Sequence, residues 1–235
     1  MLILASDTSG KSLSVALCED EYVIAESTLN FGYKHSVTFQ PLLADILTRA
    51  GRDKRDLDLL ACTVGPGSFT GIRIGVAAMK TMAWALEKPV IGVSSLEVLA
   101  AAFPVSLVCP AIDARGGRVF SALYDVGANF RVLIEPANRQ ASELRSKIHA
   151  LNLEQEIVIT GDGSPAVRSA CPEEIDLANA IWATPEFWLP RASTLSRLAL
   201  QRYRAGDPGD PFKLRPNYLA LSQAERMRKQ SKESI

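Results

Sequence analysis

The segment Gly65-Pro66-Gly67-Ser68-Phe69-Thr70-Gly71, which leads into a helix, is where residue types and spacing first suggest chemistry. A glycine-rich turn between a strand and a helix can cradle a phosphate, because free N–H groups and the helix dipole favour an anion there. The spacing completes neither familiar phosphate pattern. A P-loop closes on Gly-Lys-Ser/Thr, whereas here Gly71 is followed by Ile72 and Arg73. The dinucleotide fingerprint fails on its glycine spacing and on the missing acidic residue at the end of the next strand. From Ile72 to Leu86 the helix is apolar nearly all round, interrupted chiefly by Arg73, Lys80 and Thr81. Such a helix must be covered on every side, either by its own chain or by a partner protein.

Other reactive groups are sparse. Cys18, Cys62, Cys109 and Cys171 never occur as Cys-x-x-Cys, and the first three sit in strand-like apolar runs, so they read as reduced core thiols. His35 and His149 are the only histidines, far apart and without a carboxylate at metal-site spacing. That argues against a zinc site or a Ser-His-Asp triad. His35 opens a helix and reads as an exposed residue.

The elements around the turn follow from periodicity. Leu2–Ala5, Leu13–Cys18 and Tyr22–Glu26 read as three strands with hairpin-short connections. Val37, Phe39, Leu42, Leu43, Ile46, Leu47 and Ala50 fall at helical spacing, with Ser36 as the expected cap, Gly51 as the stop and a kink expected at Pro41. Strand Leu59–Val64, capped at the next helix by Ser68 or Thr70, is followed by strand Pro89–Val93 and helix Leu96–Ala102. The order then recurs in degenerate form, with strands at Val105–Ile112, Arg118–Asp125 and Arg131–Ile134, a helix at Ala141–Ala150 and a strand at Ile157–Thr160. A helix over Ser193–Arg204 leads into the loop Gly206–Pro211. The expectation is an α/β fold with mixed sheets: a first lobe over 1–103, a smaller one over 104–205, and a tail over 206–235 that returns to the first lobe.

With 235 residues and 47% hydrophobic content the chain can bury a sizeable core. Lys plus Arg and Asp plus Glu are balanced at 26 each, which argues against unaided nucleic-acid binding. Arg226, Arg228, Lys229 and Lys232 form a local basic exception, read as a solvated tail. Met1–Ala5 breaks at once into Ser6-Asp7-Thr8, so neither a signal peptide nor a membrane span is expected, and the chain reads as cytosolic.

Ile3-Leu4-Ala5-Ser6-Asp7-Thr8-Ser9, the stretch Gly65–Gly75, Val90–Glu97, Asp113-Ala114-Arg115 ahead of Val119-Phe120, and Thr160-Gly161-Asp162-Gly163 together resemble the TsaB family, also called YeaZ. The resemblance covers nearly the whole chain. It implies the duplicated two-lobed fold of the actin, sugar kinase and Hsp70 superfamily (ASKHA), with a reduced second lobe. It also implies a non-catalytic subunit that pairs with the related enzyme TsaD, joined by the ATPase TsaE, in forming N6-threonylcarbamoyladenosine on tRNA. In TsaD a His-x-x-x-His metal pair follows the strand matching Pro89–Val93, and the corresponding positions here are Ser95 and Leu99, so neither metal nor cofactor is expected.

Under that resemblance the two helices form a bundle with those of TsaD, or with a second copy when TsaD is absent. Phe39, Leu42, Leu43, Ile46, Ile72, Gly75, Val76 and Met79 are the candidate seam. The superfamily's phosphate-flanking acids match Asp7 and Asp113, which with Thr8 and Ser9 would form a vestigial nucleotide site, although the family lacks the usual adenosine pocket. The tRNA would be reached through the complex, with the basic tail as an alternative contact. The competing reading is an enzyme in its own right, a nucleotide-dependent phosphotransferase or a metallopeptidase-like protein.

Overall fold

Two five-stranded mixed sheets of matching topology organise the computed structural model, which describes residues 1–30, 32, 34–105, 107–127, 130–170 and 177–219. The first contains β1 (Leu2–Asp7), β2 (Leu13–Glu19), β3 (Tyr22–Leu29), β4 (Leu59–Gly65) and β5 (Val90–Ser94) in the order β3-β2-β1-β4-β5. The second contains β6 (Leu107–Asp113), β7 (Arg118–Asp125), β8 (Arg131–Gln140), β9 (Ile157–Thr160) and β10 (Ala180–Trp182) in the order β8-β7-β6-β9-β10. In each, an antiparallel meander of three strands is extended by parallel strands beside the first of them. The repeat visible in the sequence is therefore a repeat of topology. β1 is buried on both faces, which is why it reads as a continuous apolar run rather than an alternation.

Helices α1 (His35–Arg49) and α2 (Phe69–Leu86) cover one face of the first sheet. In α1, Phe39, Leu43, Ile46 and Leu47 form the buried stripe. The helix begins two residues before the expected region, its cap residue is Lys34 rather than Ser36, and it runs on through Pro41. In α2, Ser68 is the cap, its Oγ accepting from Gly71 N at 3.2 Å.

The lobes are joined by two helices. α3 (Ser95–Ala100) follows β5 and sends Leu96, Leu99 and Ala100 into a core with Val108, Ile112, Phe120 and Tyr124 of the second sheet. α4 (Ala141–Ala150) and α5 (Ser164–Ser169) cover the other face of that sheet. α6 (Ala192–Arg204) comes back: Ala192, Leu195, Ala199 and Leu200 pack with Ile3, Ala5, Ala61 and Val93 on the face of the first sheet opposite α1 and α2. This corrects the expected second lobe over 104–205, because the apolar stripe of α6 is matched to the first sheet. The return is fastened at both ends. Glu26 on β3 accepts from Ser193 N and Oγ at 3.0 and 2.9 Å and pairs with Arg191. Near the other end, Arg202 donates to Gly92 O at 2.8 Å and to Glu97 at 2.6 Å.

Residues 206–219 return to the first lobe. Gly209 O accepts from Val90 N at 2.8 Å, covering the β5 edge, and Asn217 N donates to Val64 O at 2.7 Å. Leu214 enters the core beneath α2. Tyr218 stacks on Phe69 with centroids 5.0 Å apart and accepts from Arg73 Nε at 2.8 Å. Arg226, Arg228, Lys229 and Lys232, the basic residues of the expected tail, lie outside the described residues.

The seat of α2 on the end of β1 is unusually close. Thr8 Oγ1 donates to Gly71 O at 2.8 Å, and Ser68 N donates to Ser9 O at 2.7 Å. A Cβ at Gly67 would lie 2.2 Å from Ser9 O, one at Gly71 2.1 Å from Thr8 O, and one at Gly75 2.3 Å from Thr8 Oγ1. Replacing a helical glycine by alanine ordinarily gains up to about 1 kcal/mol of propensity. Here the methyl group meets backbone oxygen, and overpacking of that kind costs about 1–3 kcal/mol or more, so the clash wins. Gly71→Ala should accordingly lower the urea midpoint clearly, whereas a serine at exposed Ala85 should change stability by no more than about 0.5 kcal/mol.

Candidate interaction surface and interlobe cleft

The buried stripes of α1 and α2 determine which residues remain for a partner. Phe39, Leu43, Ile46, Ile72, Gly75, Val76 and Met79 are all buried against the protein's own sheet, and Leu42 is half-buried at the margin of that core. The seam drawn from the sequence is thus the inner one. Its outward neighbours are half-buried Ile74, Ala78, Met82 and Leu86 together with exposed Ala77, Thr81 and Ala85 on α2, and exposed Val37, Gln40 and Ala44 on α1. Gln40, Lys54 and, on α2, Ala77, Ala78, Thr81, Met82, Ala85 and Leu86 line a shallow groove of about 470 Å³. Lys80, the one cation in that stretch of α2, turns aside and donates to Leu214 O at 3.4 Å. Trp84 is 62% exposed at the end of the helix.

Inner and outer stripes are alike in hydropathy, so periodicity could not separate them. The signal that could have done so was the spacing of Gly67, Gly71 and Gly75. Glycines four apart are needed where the helix meets backbone, and here that backbone is Thr8–Ser9.

Both helices are anchored at their N-termini to the turn after β1. His35 is buried rather than exposed, and its Nε2–H donates to Gly10 O at 3.0 Å. His149 is exposed at the end of α4. Cys18, Cys62 and Cys109 are free, buried thiols; burial pushes Cys62 and Cys109 up to about 12. Cys171 lies outside the described residues.

Between the lobes is a cleft of about 380 Å³, bounded by the Ser9–Ser12 turn on one side and by Ile112, Asp113, Asp162 and Trp188 on the other. Asp113 and Ser9 line it, but Asp7 and Thr8 do not, so the expected pair of acids facing one another across a nucleotide does not form. Thr8 is instead the seat of α2. Asp7 is wholly buried: its Oδ1 accepts from Thr63 Oγ1 at 2.6 Å and from Ser9 Oγ at 2.7 Å, while Oδ2 has no partner. Leu99 lines the cleft, and Ser95 is buried with its Oγ donating to Pro66 O at 2.5 Å. Ser95 is therefore spent on holding the glycine-rich turn. Among the described residues no cluster of three or more His, Cys, Asp or Glu could hold a metal ion.

Burial pushes the Asp7 carboxyl up from 3.8, and the hydrogen bonds from Thr63 and Ser9 only partly oppose this. Its folded pKa exceeds its unfolded one, so its contribution to stability is fully present below the unfolded value and is lost as pH rises through the folded value. Asp7→Asn should therefore gain on the parent chain in denaturant midpoint as pH is raised from about 4 to about 8, and should show no such gain at the acid end.

Known proteins agree with this architecture. The family described as "TsaD: tRNA N6-adenosine threonylcarbamoyltransferase" matches residues 30–185. The tRNA threonylcarbamoyladenosine biosynthesis protein TsaB of Bacillus subtilis is 33% identical over 227 residues, 96% of each chain. TsaB of Escherichia coli is 41% identical over 133 residues, covering 55% of this chain and 57% of its own. The solved structure of YeaZ from Pseudomonas aeruginosa superposes with a TM-score of 0.79 at 27% identity, covering 93% of this chain and 99% of its own. A full-length relative at this identity, on the same duplicated two-lobed frame, identifies the chain as a member of the TsaB (YeaZ) family.

Proposed function

We propose that this chain is a non-catalytic subunit that docks on TsaD through the outer faces of α1 and α2. In doing so it activates TsaD in forming N6-threonylcarbamoyladenosine at position 37 of tRNAs that read codons beginning with A. The observation that carries this reading is the outer face of α2, where Ala77, Thr81 and Ala85 are exposed and Ile74, Ala78, Met82 and Leu86, packed at the margin of the chain's own core, stay half-buried. Ala77, Ala78 and Ala85 would let a facing backbone approach closely, while Met82, Leu86 and Val37 supply apolar contact area.

Likeness to TsaD supports the choice of partner. The family match over 30–185 includes both helices, and two related folds presenting equivalent helices can pair about a pseudo-twofold axis as a bundle. The same face would join a second copy of this chain when TsaD is absent, and TsaE would join the heterodimer. Reaction chemistry would remain with TsaD, in keeping with the engagement of Ser95 by Pro66 O and with Leu99 at the second position of the missing histidine pair. The complex would work in the cytoplasm and reach tRNA mainly through TsaD. Docking would raise activity by favouring one arrangement of the enzyme's cleft, through contacts stronger in that state than in the other.

Ala77→Glu and Thr81→Arg place charge on the exposed stripe. Each should cut co-purification with TsaD by roughly tenfold or more and lower tRNA modification correspondingly, with the melting temperature of the free subunit nearly unchanged. Full pairing by both variants would overturn this surface. Gly75→Glu should instead unfold the subunit, because Thr8 occupies the space it needs. Turnover of Mg-ATP by the purified chain alone would overturn the non-catalytic assignment.

A further inference from the structure

We propose that Arg73 is the charged contact of the α2 docking face, a guanidinium fork that receives a carboxylate side chain of the partner; this rests on the docking surface proposed above. Arg73 stands in register with Ala77 and Thr81, at i, i+4 and i+8 along the exposed stripe of α2. Its guanidinium is held in place by the chain itself. Cζ lies 3.9 Å from the centroid of the Phe69 ring and 5.7 Å from that of Tyr218, and Nε donates to Tyr218 Oη at 2.8 Å. Two aromatic rings and one hydrogen bond thus orient a side chain that is otherwise costly to order.

The end of the fork remains free. Nε is engaged by Tyr218, while Nη1 and Nη2 have neither an acceptor nor an ion pair among the described residues. Their parallel N–H groups match the two oxygens of a carboxylate, the geometry that makes arginine pairs bidentate. No acidic residue lies in the first turn of α2 to neutralise Arg73, and Lys80, the other cation of the helix, is already taken up by Leu214 O.

Fastening the returning tail does not require this fork. Leu214 is buried in the core beneath α2, Asn217 N donates to Val64 O at 2.7 Å, and Arg73 reaches Tyr218 through Nε alone. Tyr218 and Phe69 are 41% and 38% exposed, so the ring pair also offers apolar area around the charge. Arginine and tyrosine together are the residue types that dominate binding energy at protein interfaces. A nucleic-acid backbone suits the site less well, because phosphate neutralisation needs several cations together and Arg73 stands alone on the outer stripe of α2.

The test measures pairing of the full chain with TsaD by calorimetry at low and at high salt. Arg73→Gln should weaken pairing about tenfold or more and flatten its salt dependence, with the melting temperature of the free subunit nearly unchanged. Arg73→Lys should recover only part of that loss, about threefold, because an ammonium keeps the charge without the fork. Arg73→Glu should be rescued by reversing one Asp or Glu on the facing helices of TsaD to arginine. Full pairing by Arg73→Gln while Ala77→Glu fails to pair would overturn the carboxylate contact and leave the docking surface standing; full pairing by both would overturn the two together. Parent-level pairing by Arg73→Lys, no rescue of Arg73→Glu by any acidic reversal, or weaker tRNA binding by free Arg73→Gln with TsaD pairing unchanged would each overturn the proposal.

Discussion

The contact between α2 and the Thr8–Ser9 turn holds the first lobe in its working shape. Three glycines bring the first turns of the helix against backbone oxygens and the Thr8 hydroxyl, and no side chain larger than hydrogen fits at those positions. Once that contact is made, the rotation of α2 is set. Ile72, Val76, Met79 and Ala83 must face the sheet, and the opposite stripe, from Ile74 to Leu86, must face outward. The same turn also carries Gly10, which accepts from His35 at the start of α1, so the two helices share one anchor. A surface that two helices form together requires that anchor to be rigid, and most of it is made of short, buried hydrogen bonds.

The two lobes exchange helices, and this ties the first lobe to the rest of the molecule. α3 leaves the first sheet to pack on the second, and α6 comes back to cover the face of the first sheet opposite α1 and α2. Arg202 on α6 joins Gly92 and Glu97, linking the outgoing and returning crossovers at one point. The cleft lies beside these crossovers, with the anchor turn of α1 and α2 forming one of its walls. The outer faces of α1 and α2 and the cleft are therefore anchored on the same few residues, Ser9 to Ser12.

Ser95 has a packing role at the start of α3. Its hydroxyl holds the carbonyl of Pro66, and so supports the turn that launches α2. Asp7 has gone the same way. Its carboxyl is enclosed by Thr63 and Ser9 and kept from the cleft. Both polar side chains act as internal struts.

Much of the fold was legible in the residues themselves. The duplicated order of strands and helices followed from runs such as Leu2–Ala5 and Val105–Ile112, because a strand buried on both faces must be apolar throughout. The free, buried thiols of Cys18, Cys62 and Cys109 were equally plain from their apolar settings. The short strand β10 and helix α5 escaped notice, being three and six residues long and without a periodic signature. His35 was misjudged because its partner, Gly10 O, is brought to it only by the tertiary fold.

Composition and periodicity alone determined that α2 is apolar on two sides and must be covered on both, since burial of apolar area is what stabilises such a helix. Only the tertiary structure decided which side packs on the protein's own sheet and which side faces outward. The two stripes are chemically alike, and the choice rests on a steric fit between glycine Cα atoms and the Thr8–Ser9 backbone, residues some sixty positions away in the chain.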